Sequence, residues 1–114
     1  MSWRGRSEAP SPTGAQLKIC AGVVEAAREG ICRRQVQAAE AALVAAFDDM
    51  TLPQREALAR AVQANLINRK ESPVDLLCFT HRLPIGRKRF YQARRFFCHA
   101  LLQELGMTAE RRGA

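Results

Sequence analysis

The stretch Arg82-Leu-Pro-Ile-Gly-Arg-Lys-Arg-Phe-Tyr-Gln-Ala-Arg-Arg95 decides how this chain is interpreted, because it holds six basic side chains and no acidic one. The turn signal Pro84-Ile85-Gly86 precedes a strongly helical run. The charge is uneven along the chain: residues 1–68 contain 8 Lys and Arg against 7 Asp and Glu, whereas residues 69–114 contain 10 against 4. Positive charge confined to one segment favours nucleic acid as the partner, since binding a polyanion releases counterions.

The residues after this turn predict a long helix over 87–105 with two different faces. At about 100° per residue, one apolar stripe is formed by Phe90, Ala93, Phe97, Ala100 and Leu101. The opposite side carries Lys88, Gln92, Arg95 and His99, flanked by Arg89 and Tyr91. Arginine can bind guanine edges or phosphates, glutamine can pair with adenine, and tyrosine can bind a phosphate or stack. The predicted DNA-binding residues are Arg87, Lys88, Arg89, Tyr91, Gln92, Arg94 and Arg95. Phe96 lies between the two faces, so it is either a singly exposed aromatic residue or part of a dimer contact, and the dimer contact is preferred.

The remainder of the chain predicts an all-α fold of about five helices with a C-terminal helix-turn-helix. Thr13 with Gln16 and Thr51 with Gln54 have capping-box spacing, and Gly30 stands where a C-terminal cap would lie. A second helix over 31–49 either follows this cap or continues the first helix. The predicted segments are a flexible basic arm (1–12), an Ala-rich helical pair suited to dimerisation (13–50), the helix-turn-helix DNA-binding region (51–106) and a tail (107–114).

The fourth predicted helix opens at Ser72-Pro73 and supplies the first half of the helix-turn-helix. Its inward residues are predicted to be Leu76, Leu77, Phe79, Thr80 and Leu83, and Pro84 is expected to end it. Ile85 is expected to pack between the two helices. Gly86 takes the N-cap position of the helix that follows.

The segment from Leu83 to Phe97, followed by Leu101, Leu102 and Leu105-Gly106, resembles the C-terminal helix-turn-helix of phage-associated regulators of the ArpU and RinA type, which are similar to region 4 of sigma factors. The resemblance covers roughly residues 51–106 and rests mainly on Ile85, Arg87 and Phe90-Tyr91 with Arg94-Arg95. Gly86 differs from the usual serine and Pro84 from a common glycine. The resemblance implies DNA binding through residues 87–95 and a role in transcriptional control.

Other classes of protein fit the sequence less well. No apolar stretch approaches the ~20 residues that span a bilayer, and the N-terminus lacks the hydrophobic core of a secretory signal, so a cytoplasmic protein without membrane contact is expected. Cys20, Cys32, Cys78 and Cys98 are therefore interpreted as free thiols. Cys78 and His81 have Cys-x-x-His spacing, but Cys98 and His99 diverge on a helix and could not bind one ion together. No nucleophile with a base, paired carboxylate or phosphate loop is found, so neither enzymatic activity nor a cofactor is predicted.

The preferred interpretation is a sequence-specific transcriptional regulator of phage or mobile-element origin that binds duplex DNA as a homodimer, with RNA polymerase as a candidate further partner. One alternative is a helical interaction module whose basic helix docks an acidic partner. Another is a DNA-packaging protein similar to a small terminase subunit. Steep salt dependence would favour DNA binding over the interaction module, and a large ring would favour the packaging protein.

Overall fold

The computed structural model describes residues 11–107 of the chain. The predictions made for residues 1–10 of the basic arm and for residues 108–114 of the tail lie outside this range. The described part is all-helical, as the sequence predicts, and contains no strand. Its helices are α1 Gly14–Ala27, α2 Arg33–Ala46, α3 Leu52–Ile67, α4 Val74–Thr80 and α5 Arg87–Glu104.

Capping boxes fix where α1 and α3 begin. The backbone N–H of Gln16 donates to Thr13 Oγ1 over 3.1 Å, and the backbone N–H of Thr13 donates to Gln16 Oε1 over 2.9 Å. The same pair of bonds begins α3: the backbone N–H of Gln54 donates to Thr51 Oγ1 over 3.3 Å, and the backbone N–H of Thr51 donates to Gln54 Oε1 over 2.9 Å. Each box satisfies donors that a helix N-terminus otherwise leaves unpaired. Both predicted helix starts are confirmed.

Gly30 separates α1 from α2. Its φ of +93° lies in the left-handed region, where glycine avoids the steric penalty of a Cβ atom. Its backbone N–H donates to the carbonyl of Ala27, and that of Ile31 donates to the carbonyl of Ala26, both over 3.0 Å. This is the hydrogen-bond pattern of a Schellman cap. The predicted cap is confirmed, and α1 and α2 are separate helices.

The four long helices α1, α2, α3 and α5 share one hydrophobic core, and each contacts the other three. The buried residues of α5 are Phe90, Ala93, Phe96, Phe97, Cys98, Leu101 and Leu102. The predicted stripe is buried apart from Ala100, which is half-buried. The buried arc is wider than predicted because three helices pack around α5. Phe96 is therefore not an exposed dimer contact: it is 7% exposed and packs edge-on against Phe47, with 6.0 Å between ring centroids.

The short helix α4 packs mainly against α3 and α5, and its inward face differs from the prediction. Val74 and Leu77 are buried, as is Leu83 beyond the helix end. Leu76, Phe79 and Thr80 are exposed, so their predicted inward position is wrong. A helix of seven residues has less than two full turns, and packing against two neighbours from one side buries only a narrow stripe.

Arg82, rather than Pro84, marks the end of α4. Its φ is +54°, the left-handed conformation. Its backbone N–H donates to the carbonyl of Phe79 over 3.2 Å, and that of Leu83 donates to the carbonyl of Cys78 over 2.9 Å. These bonds form a Schellman cap in which a non-glycine residue occupies the position that glycine usually takes. The helix ends at Thr80, before Pro84 can act on it, so the predicted stop is wrong.

Arg82→Gly should stabilise the protein. The left-handed conformation costs an L-residue about 1 to 2 kcal/mol, whereas glycine adopts it freely but loses more entropy on folding. We expect a net gain of about 0.5 to 1 kcal/mol in the free energy of unfolding, measured by urea denaturation. Arg82→Ala keeps the strain and removes the same charge, so it should give no gain. A gain for both variants would assign the effect to charge instead.

Candidate nucleic-acid interface

The side of α5 that points away from the core carries Lys88, Gln92, Arg95 and His99, which we call the outer face of α5. Lys88 is exposed and the other three side chains are half-buried. Neither Lys88 nor Arg95 forms a salt bridge within residues 11–107. Gly86 caps the helix with an extended backbone and offers no side chain to the first turn. The outer face thus presents cations and an amide beside a helix N-terminus that has no side-chain cap.

Arg87 is the first residue of α5 and points about 100° around the helix axis from Lys88. Its Nε atom is 3.5 Å from Asp75 Oδ1 on α4, and the two side chains are 68% and 75% exposed. An ion pair so open to water contributes little to stability. Arg87 can therefore exchange Asp75 for another anion at small cost.

Arg89, in contrast, is held inside the protein. Its Nη2 atom lies 2.6 Å from Asp49 Oδ1, and its guanidinium carbon lies 4.5 Å from the centre of the Phe47 ring. Only 15% of its side chain is exposed. Its Nη1 atom is also 3.5 Å from Gln92 Oε1, which is long for a hydrogen bond. These contacts connect α5 to the turn between α2 and α3, so Arg89 mainly supports the helix.

Arg94 lies on a different side of α5 from the outer face, and Tyr91 lies between the two. Arg94 Nη1 donates to Asn65 Oδ1 over 2.9 Å, and the guanidinium carbon lies 4.8 Å from the centre of the Tyr91 ring. Asn65, which is 2% exposed, donates from Nδ2 to the carbonyl of Ser72 over 2.9 Å. Burial lowers the pKa of Arg94, and nearby Arg69 lowers it further. Arginine nevertheless stays protonated in proteins.

The seven predicted DNA-binding residues therefore differ in how far they are engaged by contacts within the protein. Lys88, Gln92 and Arg95 lie on the outer face of α5, whereas Arg87 points about 100° around the axis from Lys88. Arg89 is engaged with Asp49, and Arg94 and Tyr91 contact one another beside α3. The helical position of Arg94, about 40° around the axis from Phe90, already separates it from Arg95. Asn65, which orients Arg94, was not predicted, because its partners are distant in sequence.

Comparisons with models of known protein families, with curated proteins and with solved structures found no match to this chain.

The cysteines and histidines do not assemble into a metal centre within residues 11–107, where no three His, Cys, Asp or Glu side chains are placed to hold an ion. Cys98 is fully buried, and the neighbouring Cys20 together with burial raises the pKa of its thiol. Burial, with a smaller effect of Asp75, also raises the pKa of the Cys78 thiol. Both cysteines are free thiols, and a raised pKa disfavours the thiolate form that binds metals.

The apolar faces of α1 and α2 are occupied within the chain. Val24, Ala39 and Leu43 are buried in the shared core, where α2 packs against α5. These Ala-rich faces, which were predicted to be suited to dimerisation, are buried against other helices of the same chain. A dimer would need a different surface.

No helix within residues 11–107 combines the length and apolar character needed to cross a membrane.

Proposed function

We propose that this protein binds duplex DNA in a sequence-dependent manner and regulates transcription, with α4 and α5 acting as a helix-turn-helix. The outer face of α5 is the observation that carries the proposal. It presents Lys88 and Arg95 without salt-bridge partners in the described chain, on either side of the amide of Gln92. Cations with a planar hydrogen-bonding group between them are suited to major-groove binding.

We assign a different role in DNA binding to each of these residues from its position and its contacts within the chain. Lys88 and Arg87, near the helix N-terminus, would bind phosphates and position α5 on the duplex. Gln92 and Arg95, one turn further on, would contact base edges. Arg89, through Asp49, and Phe97, through the core, would hold the helix at a fixed angle to the DNA.

The biological role in the proposal follows from the resemblance to phage-associated regulators. A single small helix-turn-helix reads few base pairs, so regulators of this kind commonly bind half-sites as two-fold dimers. A homodimer and contact with RNA polymerase accordingly belong to the proposal. Because the apolar faces of α1 and α2 are buried, the dimer contact would involve surfaces other than those faces.

Selection of bound sequences from random duplex DNA tests this function. We expect one motif to be enriched, and we expect its affinity to fall steeply as salt rises, because phosphate contacts release counterions. Retention of random duplexes without enrichment would show binding without sequence discrimination. Absence of retention at low salt would overturn the proposal.

Gln92→Ala should weaken binding to the selected site by about 1 to 3 kcal/mol while leaving random DNA nearly unaffected, since it removes a base contact. Fluorescence anisotropy with both DNAs measures this difference. Lys88→Ala is the matched control: it should weaken both DNAs equally and reduce the salt slope by about one. Equal losses on both DNAs for Gln92→Ala would remove Gln92 from sequence recognition.

A second candidate is a protein-interaction module, favoured by exposed apolar side chains on α4. Phe79 is 82% exposed and Leu76 is 50% exposed. Exposed aromatic residues are common where proteins bind one another. In this alternative the outer face of α5 docks an acidic protein surface. The random-duplex selection separates the two candidates, because only the first predicts an enriched DNA motif.

A further inference from the structure

A cleft with basic walls opens on the side of the protein where α1, the C-terminal end of α3 and the middle of α5 meet. Its volume is about 390 Å³. Four cations line it: Lys18 from α1, Arg69 and Lys70 from the loop after α3, and Arg94 from α5. No Asp or Glu is among the described residues that line it. We call this site the basic cleft.

Arg94 is positioned in the wall of the basic cleft by buried groups. Asn65 accepts its hydrogen bond over 2.9 Å and is in turn fixed by the carbonyl of Ser72. The ring of Tyr91 supports the guanidinium at 4.8 Å. Of the five guanidinium donors, one is used by Asn65, so others remain for a ligand. The side chain is therefore held in place before any ligand arrives.

The charges in the basic cleft do not neutralise one another. Arg69 is close enough to Arg94 to disfavour its charge, and neither Lys18, Arg69 nor Lys70 forms a salt bridge within residues 11–107. Mutually repelling cations around a concavity gain free energy when an anion enters between them. Arginine guanidinium groups bind both carboxylate and phosphate oxygens bidentately. A phosphomonoester carries a charge of about −1.5 to −2 near neutral pH, so it gains more than a single carboxylate does from the four cations that line the cleft.

The rest of the lining indicates what accompanies the phosphate. Leu17, Ala21, Leu66 and Ile67 form apolar wall beside the cations. A solvated DNA backbone phosphate would not use such a wall, whereas an apolar or aromatic group would be partly buried against it. The volume also falls within the range of small-molecule sites, which combine apolar lining with a few placed polar groups.

We propose that the basic cleft binds a small phosphomonoester that carries an apolar or aromatic group, held by Arg94, Arg69 and Lys70 at the phosphate. This site is separate from the outer face of α5, because Arg94 and Arg95 point about 100° apart around the helix. The basic cleft can therefore bind its ligand whether or not the outer face of α5 binds DNA.

Titration of the full-length protein with AMP, followed by nuclear magnetic resonance, tests the basic cleft. We expect the backbone signals of residues 66–70 and the guanidinium signal of Arg94 to shift with saturation. Adenosine, which lacks the phosphate, should bind at least about tenfold more weakly. Shifts that are absent with AMP, or equal with adenosine, would overturn the proposal.

The double variant Arg69→Ala, Lys70→Ala should weaken AMP binding by about tenfold. Both residues lie in an exposed loop, so the variant should fold. Lys88→Ala, which changes the outer face of α5, should bind AMP like the wild type. If AMP and inorganic phosphate both fail to bind while the double variant loses affinity for duplex DNA, the cleft contacts the DNA backbone and the small-ligand site is ruled out. Loss of DNA binding by Lys88→Ala alone bears only on the proposed DNA interface.

Discussion

Phe97→Ala should lower the free energy of unfolding by about 3 to 5 kcal/mol, enough to unfold a large fraction of a small domain. Phe97 is fully buried on α5, where the core receives side chains from α1, α2 and α3. Truncation removes the transfer free energy of the ring and leaves a cavity that close-packed helices cannot fully close. Urea denaturation followed by circular dichroism measures the change.

Phe79→Ala is the matched control for this prediction. It makes the same chemical change on α4, but Phe79 is 82% exposed, so the free energy of unfolding should change by no more than about 0.5 kcal/mol. Comparing Phe97→Ala with Phe79→Ala separates the effect of burial on stability from the effect of the residue type. Similar losses for the two variants would mean that Phe79 is covered in solution, and no loss for Phe97→Ala would invert the assignment of the faces of α5.

Asn65→Ala should cost about 3 kcal/mol, although it removes only a few atoms. The side chain is 2% exposed and joins Arg94 of α5 to the carbonyl of Ser72 in the loop before α4. Its loss leaves a half-buried guanidinium and a backbone carbonyl without their partner, and an unsatisfied buried group costs more free energy when it is charged. The loop after α3, which bears Arg69 and Lys70, should become more mobile, and amide hydrogen exchange would detect this.

A double-mutant cycle with Arg94→Met shows whether the free energy lost in Asn65→Ala comes from the Arg94 contact or from the Ser72 contact. Methionine keeps much of the side-chain length but needs no hydrogen-bond acceptor. If the guanidinium contact matters, Asn65→Ala should cost clearly less in the Arg94→Met protein than in the wild type. Equal costs in both backgrounds would place the effect of Asn65 in the Ser72 contact alone.

Local signals in the sequence predicted much of the helical framework. Thr13 and Thr51 with their glutamine partners give the starts of α1 and α3, because a capping box closes within four residues. Gly30 gives the end of α1 for a similar reason. The end of α4 was missed, since a Schellman cap at Arg82 uses a residue type that rarely adopts the left-handed conformation.

The candidate interface was predicted only in part. The helical period places Lys88, Gln92 and Arg95 on one side of α5, and the structure retains that grouping. The helical period could not reveal that Arg89 binds Asp49, because Asp49 lies 40 residues earlier in the chain. The basic cleft was likewise hidden, since its cations come from α1, the loop after α3 and α5.

The sequence by itself determined the all-helical class, the capped helix starts and the two-faced character of α5, because each follows from interactions within one or two helical turns. Only the tertiary structure decided which basic side chains remain available. Packing three helices around α5 buried Phe96, drew Arg89 and Arg94 to partners on other elements and left Lys88 and Arg95 outside. Such pairings depend on residues far apart along the chain, and the period of a single helix cannot predict them because it relates only residues within that helix.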